Sequence, residues 1–174
     1  MKLQVVQVVV VAALMVSLCR AYTAKREECP LSWQRFEDSC YSLIQHTQNW
    51  NCAEMTCQQL GGHLVSIESG SENTFVVQMI ASQGGCKATS HVWNGLSDIA
   101  TEGTFVWSET NQPFVFNGFG SGQPDNYNNN EDCTEIHGGT WNDLPCSKHA
   151  CSVCEMPVQI ITQYVLSSSG GVTQ

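Results

Sequence analysis

Residues 50–69 read WNCAEMTCQQLGGHLVSIES. Trp50, Ala53, Cys57 and Leu60 recur at i, i+3, i+7 and i+10, one face of a helix. Thr47 or Asn49 is placed to cap its start, and Gly61-Gly62 ends it. HLVSI then reads as a short extended run. Cys57 lies on the buried stripe, whereas Cys52 falls to the side of it.

The next segment, SGSENTFVVQMIASQGG, is a second helix. Ser69 and Glu72 form a capping-box pattern, and Phe75, Val76, Met79 and Ile80 give the apolar stripe. After Gly84-Gly85 the helical period stops. HVWNGLSD, GTFVWSE, EDCTEIHG and ACSVCEM read as strands between Gly-, Pro- and Asn-rich loops. Towards the N-terminus, Cys29 and Cys40 bracket a turn-rich segment, and CYSLI is a further strand. Two early helices and several later strands define an α+β domain. The stretch from 108 to 130 is polar and rich in Gly and Asn. A loop of that length in a compact domain is functional or disordered.

The chain of 174 residues opens MKLQVVQVVVVAALMVSLCRA. A lysine, an apolar run and a small residue describe a secretory signal peptide over 1–21, cleaved after Ala21. The competing reading is a membrane anchor, but Gln4 and Gln7 interrupt a run already short for a span. The expected product is secreted and extracellular, with no membrane insertion. Residues 22–28 form an N-terminal lead carrying the dibasic pair Lys25-Arg26, and 29–157 the folded domain. Residues 158–174 are a tail whose first half has the pattern to add a strand or pack on a partner, and whose last half reads as disordered. Seven basic against sixteen acidic residues give a net charge of -9; losing Lys2 and Arg20 with the leader lowers it by two more. Such a chain repels nucleic acid and anionic lipid and welcomes a divalent cation. Of ten cysteines, nine remain without Cys19, an odd count that leaves a free thiol or a bond to another chain. The Cys151-x-x-Cys154 pair invites zinc, but no second pair at matching spacing accompanies it, and export favours disulfides.

Residues 122–133, GQPDNYNNNEDC, gather eight amide or carboxylate side chains and no Lys or Arg. Calcium takes six to eight oxygen ligands of these kinds. Asn142 and Asp143 in TWNDLPC offer more, and a Cys133–Cys146 bridge would hold the two segments together.

In order, CPLSWQRFEDSCY, WNCAEMTCQQLGGHLVSIES, VWNGLSD, QPD, EDC, WNDLPC and CSVCE resemble the C-type lectin domain family in its long form, over residues 29–157. The resemblance implies a double-loop α+β fold with two helices and two small antiparallel sheets, stapled by Cys29–Cys40, Cys57–Cys154 and Cys133–Cys146. It implies a cis Gln123–Pro124 peptide. It further implies a primary Ca2+ held by Gln123, Asp125, Glu131, Asn142 and Asp143, with the Asp143 backbone carbonyl as a sixth oxygen. Two sugar hydroxyls would complete the shell, so these five residues and Tyr127 are the expected sugar-binding set. Gln and Asn supply both a metal-binding oxygen and an N–H donor, whereas Asp and Glu only accept. Exchanging amide and acid reverses the hydrogen-bond polarity across the ion. QPD resembles the galactose-type members, Glu-Pro-Asn the mannose-type. Tyr127 is placed to cover the apolar face of galactose or N-acetylgalactosamine, although such members often carry a larger Trp there.

The resemblance offers an auxiliary Ca2+ at Asp98, Glu102, Asn126, Glu131 and Asp132; Asn126 stands where some members have an acid. Trp93, Trp107 and Trp141 fall at core positions, Phe119 replaces a Trp as an aromatic plug, and Asn94 replaces an aliphatic residue. His63 reads as structural, while His137 and His149 are candidate acid sensors. Cys52, Cys86 and Cys151 have no partner in the family pattern. A Cys52–Cys151 bond would free Cys86 for a disulfide-linked homodimer; Cys86–Cys151 and Cys52–Cys86 stay open. No nucleophile–base pair with an orienting third group is recognisable, so the expectation is not an enzyme. It is a lectin for galactose-type glycans on cell or microbial surfaces, of the innate-immunity kind. The rival is the same fold turned to ice, mineral or protein, as in antifreeze-like relatives.

Overall fold

The computed structural model describes residues 19–86 and 90–168. Most of the leader (1–18) and the last tail residues (169–174) lie outside them. The strands are β1 Cys19–Glu28, β2 Gln34–Phe36, β3 Ser39–Gln48, β4 His63–Leu64, β5 Val92–Ser97, β6 Val106–Trp107, β7 Cys133–His137, β8 Thr140–Leu144, β9 Ala150–Pro157 and β10 Gln159–Ser168. The helices are α1 Trp50–Gln59 and α2 Gly70–Ser82. Among the described residues no helix is long and apolar enough to cross a membrane.

The chain divides into two units. In the first, lead and tail pair as one antiparallel ribbon, from Cys19 opposite Ser168 to Glu28 opposite Gln159. The tail's first half is therefore a strand, with the lead as its partner. Cys19, Arg20 and Ala21 begin β1, inside the segment that the leader reading removes; the pairing from Tyr22 onwards does not need them.

The second unit, Cys29–Val158, holds both described helices and an eight-stranded sheet in the order β2-β3-β9-β5-β7-β8, with β4 on β9 and β6 on β5. Two sheets are thus present. The larger is not antiparallel throughout, because β5 runs parallel to β9. Asn49 caps α1 by accepting from the Cys52 amide, and Ser69 caps α2 by accepting from the Glu72 amide. Trp50, Ala53 and Cys57 are buried as the helical period requires, but Leu60 is exposed. It occupies the C-cap, where the chain leaves the helix before its face can turn inward.

The bonds Cys29–Cys40, Cys57–Cys154 and Cys133–Cys146 are present, together with Cys86–Cys151. Of the three pairings left open among Cys52, Cys86 and Cys151, the one formed is Cys86–Cys151, not Cys52–Cys151. Cys52 points off the buried face of α1 and is an exposed free thiol, while Cys151 belongs to the core cluster against which Cys86 packs.

Two features position the long loop. Gly138 and Gly139, both at positive φ, make a two-residue hairpin turn between β7 and β8. This turn fixes Asn142 opposite Glu135 and Asp143 opposite Thr134. Trp141, fully buried, is surrounded by Trp107, Phe114, Phe116 and Phe119 in edge-to-face contacts. The loop crosses directly above it: the Trp141 amide donates to Gly118 and the Gly120 amide to Trp141. A Cβ on Gly118 would sit 2.4 Å from the Trp141 ring, so only glycine permits this approach. Asn94 is buried, with Oδ1 accepting from the Leu96 amide and Thr134 Oγ1. These bonds satisfy its Oδ1, whereas its Nδ2 is buried without a hydrogen-bond partner at a position where the family resemblance implies an aliphatic residue.

Candidate functional site

The loop after Gly120 has little regular structure. It passes through a cis Gln123–Pro124 peptide and a 3-10 turn at Tyr127–Asn129. Asn126, Asn128 and Asn129 all have positive φ, a region that asparagine tolerates better than most residues. Part of the asparagine richness thus serves the backbone and not a ligand.

The remaining oxygens converge. One carboxylate oxygen each from Asp125, Glu131 and Asp143 lies within 4.8 Å of the others. Asp143 is fully buried on β8 and draws the loop onto the sheet. Its Oδ1 accepts from the Asp125 amide at 3.1 Å and its Oδ2 from the Asn126 amide at 2.7 Å. Glu131 accepts from the Tyr127 amide at 3.1 Å. The Gln123 Oε1 is buried without a hydrogen-bond partner. No Lys or Arg stands among these groups in sequence. Burial, then the charges of Asp143 and Asp125, holds the Glu131 carboxyl above its ordinary value. Three clustered carboxylates and an orphaned amide oxygen fit a hard cation.

Asn142 differs from the expected arrangement. Its Nδ2 donates to Glu135 Oε1 at 3.0 Å and to the Asp143 carbonyl at 2.7 Å. The amide therefore presents hydrogens where a metal ligand presents oxygen. Tyr127 projects from the rim, 66% exposed.

The auxiliary set is less convergent. Among the described residues, Asp98, Glu102 and Asp132 do not gather as the first trio does. Asn126 ties the region together instead: Nδ2 donates to Glu102 at 2.6 Å and Oδ1 accepts from the Glu131 amide at 3.2 Å. Asp98 is buried, with Oδ2 taken by the Gly103 amide and Oδ1 unpartnered. Burial and the charges of Asp132 and Asp143 raise its pKa.

Two clusters escaped sequence reading. Glu72, read only as a capping residue, receives the Tyr41 hydroxyl at 2.7 Å in an acidic cavity of about 270 Å³ shared with Ser66, Glu68 and Glu155. Burial raises the Glu72 pKa. The second is His91, Glu135 and His137, whose ligand atoms also lie within 4.8 Å of one another. The alternation of Glu135 and His137 along one strand was the available signal.

A disulfide-stapled α+β domain with a long loop folded over clustered carboxylates defines a class of binding module. A family model described as the lectin C-type domain matches residues 46–156. The chain belongs to the C-type lectin domain family. CD209 antigen-like protein D of Mus musculus is 35% identical over 131 residues, covering 74% of this chain and 52% of that protein. The chain thus spans about half of that relative's length. Echinoidin of Heliocidaris crassispina is 34% identical over 145 residues, 75% of this chain and 97% of its own. The mouse scavenger receptor C-type lectin carbohydrate-recognition domain superposes with a TM-score of 0.69 at 27% identity, covering 76% of this chain and all of that one.

Proposed function

We propose that the protein is a secreted, calcium-dependent lectin that binds galactose or N-acetylgalactosamine on cell or microbial glycans. The observation that carries this reading is the convergence of Asp125, Glu131 and Asp143; the Gln123 Oε1, two residues along the chain from Asp125, is buried without a hydrogen-bond partner. Gln123, Asp125, Glu131, Asn142 and Asp143 hold the primary ion, with the Asn142 amide turned so that Oδ1 faces it. When bound, calcium supplies a Lewis-acidic centre that accepts lone pairs from two sugar hydroxyls. The residues around it read those hydroxyls: the carboxylates accept their protons, and the amide N–H groups donate to their oxygens. Tyr127 covers the apolar face of the ring. Asp98, Glu102, Asn126, Glu131 and Asp132 form a weaker auxiliary site.

Retention on immobilised galactose in calcium, release by EDTA and no retention on mannose is the expected result. Gln123→Glu with Asp125→Asn reverses the polarity and should move retention to mannose. Loss of binding to both sugars, with calcium still stabilising the fold, would shift the function to a non-sugar surface such as ice or mineral.

Acid should weaken the calcium site. A carboxyl with a raised folded pKa stabilises the fold fully only below its ordinary value, 4.5 for Glu131 and 3.8 for Asp98. That contribution is lost as pH climbs through the raised values. In EDTA, the thermal midpoint of the parent should therefore rise relative to Glu131→Gln between pH 7 and pH 5. The increment from calcium should shrink over the same interval, because protons compete for the same oxygens. Parallel midpoints for the two proteins would sink the argument.

The exposed Cys52 is the thiol available to link two chains, and weak single-sugar contacts gain from pairing. Protein from the culture medium should begin at Tyr22 and run as a dimer without reductant. Cys52→Ser should run as a monomer; a parent that runs as a monomer excludes the link.

A further inference from the structure

We propose that His91, Glu135 and His137 form a separate site for a divalent transition ion of the zinc type. The sheet builds it. Val92 pairs with Ile136 and Trp93 with Glu135 across β5 and β7, which sets His91 opposite His137. Residues two apart on a strand share a face, so Glu135 projects beside His137. The two rings stack with centroids 4.9 Å apart. His91 Nδ1 and Glu135 Oε2 are 2.5 Å apart, a hydrogen-bond contact that an entering ion would replace.

The outer hydrogen bonds have the arrangement that metal-binding histidines and carboxylates use. A backbone carbonyl only accepts, so the contact of His137 Nδ1 with the Ser90 carbonyl, at 3.2 Å, places the proton on Nδ1. In the neutral ring the other nitrogen keeps its lone pair. Glu135 presents Oε2 to His91, while Oε1 accepts from Asn142 until calcium turns that amide. Two imidazoles and one carboxylate suit zinc, copper or nickel far better than calcium. Tetrahedral zinc wants its donors about 3.3 Å apart, so the His91–Glu135 pair, at 2.5 Å, must open by about 0.8 Å while His137, within 4.8 Å of both, closes in. His137 is exposed, so its ring has room to move toward the other two.

The competing arrangement is a simple ion pair in which protonated His91 neutralises the buried Glu135. His137 distinguishes the two, because the ion pair does not need it. The test titrates Zn2+ into the full chain by calorimetry, with saturating calcium to fill the oxygen cluster and Cys52→Ser to remove the free thiol. One Zn2+ per chain is expected, with binding weakened about tenfold or more by His91→Gln and by His137→Gln. His149→Gln, outside the cluster, should bind as the parent does. Co2+ should give a visible absorption band that His137→Gln loses. No Zn2+ binding, or equal binding by His137→Gln, overturns the proposal. If His91→Gln fails to fold, the exposed His137 position decides the question alone.

Discussion

Asp143→Ala is expected to abolish calcium-dependent galactose retention and to release the long loop, while α1 and α2 keep their helical signal. Asp143 joins two jobs in one buried side chain. Its oxygens anchor the Asp125 and Asn126 amides to the sheet, and one of them completes the carboxylate trio. Hydrogen bonds to a charged group contribute about 1.5–3 kcal/mol each. Losing two of them with a ligand charge should weaken calcium about a hundredfold or more, by the equivalence of ~3 kcal/mol with that ratio. Calorimetric titration of calcium measures the affinity. Proteolysis of the loop around residues 121–130, with calcium and with EDTA, measures its anchoring. Calcium affinity equal to the parent's would remove Asp143 from the site.

The second large effect is expected from Cys57→Ala with Cys154→Ala. This bridge closes 97 residues and sits in the cluster of Trp50, Ala53, Leu64 and Trp93. A loop of about 100 residues gives roughly 4.7 kcal/mol in the chain-entropy model. That is a large part of the 5–15 kcal/mol that holds a typical domain together. Urea unfolding should show a loss near 4 kcal/mol, or no folded baseline at 37 °C. Cys133→Ala with Cys146→Ala closes only 13 residues and should cost less globally. Its effect should fall on the β7–β8 hairpin and therefore on calcium affinity. The reverse ranking in urea would mean that local strain, and not chain closure, sets the balance.

The local elements were legible because their signals are local. Asn49 and Ser69 cap their helices as the sequence reads. Trp93, Trp107 and Trp141 are core, and Phe119 plugs the space against Trp141. Leu60 was misread because periodicity does not say where a helix stops relative to its buried face. The spare cysteines were undecidable. A 65-residue closure for Cys86–Cys151 and one of about 99 for Cys52–Cys151 differ by only about 0.4 kcal/mol. The direction in which each side chain points from its element decided between them.

By itself, the sequence determined the helices, their caps, the acid- and amide-rich loop and the family, because these rest on spacings of a few residues and on the order of motifs. Tertiary structure alone decided which groups meet. The Gly138-Gly139 turn sets the register that brings Asn142 to Glu135, and the β5–β7 register brings His91 to Glu135 and His137. Burial on β8 turns Asp143 into the anchor of the loop. Pairing across a sheet depends on backbone hydrogen bonds that all residues share, so side-chain identity encodes it only weakly.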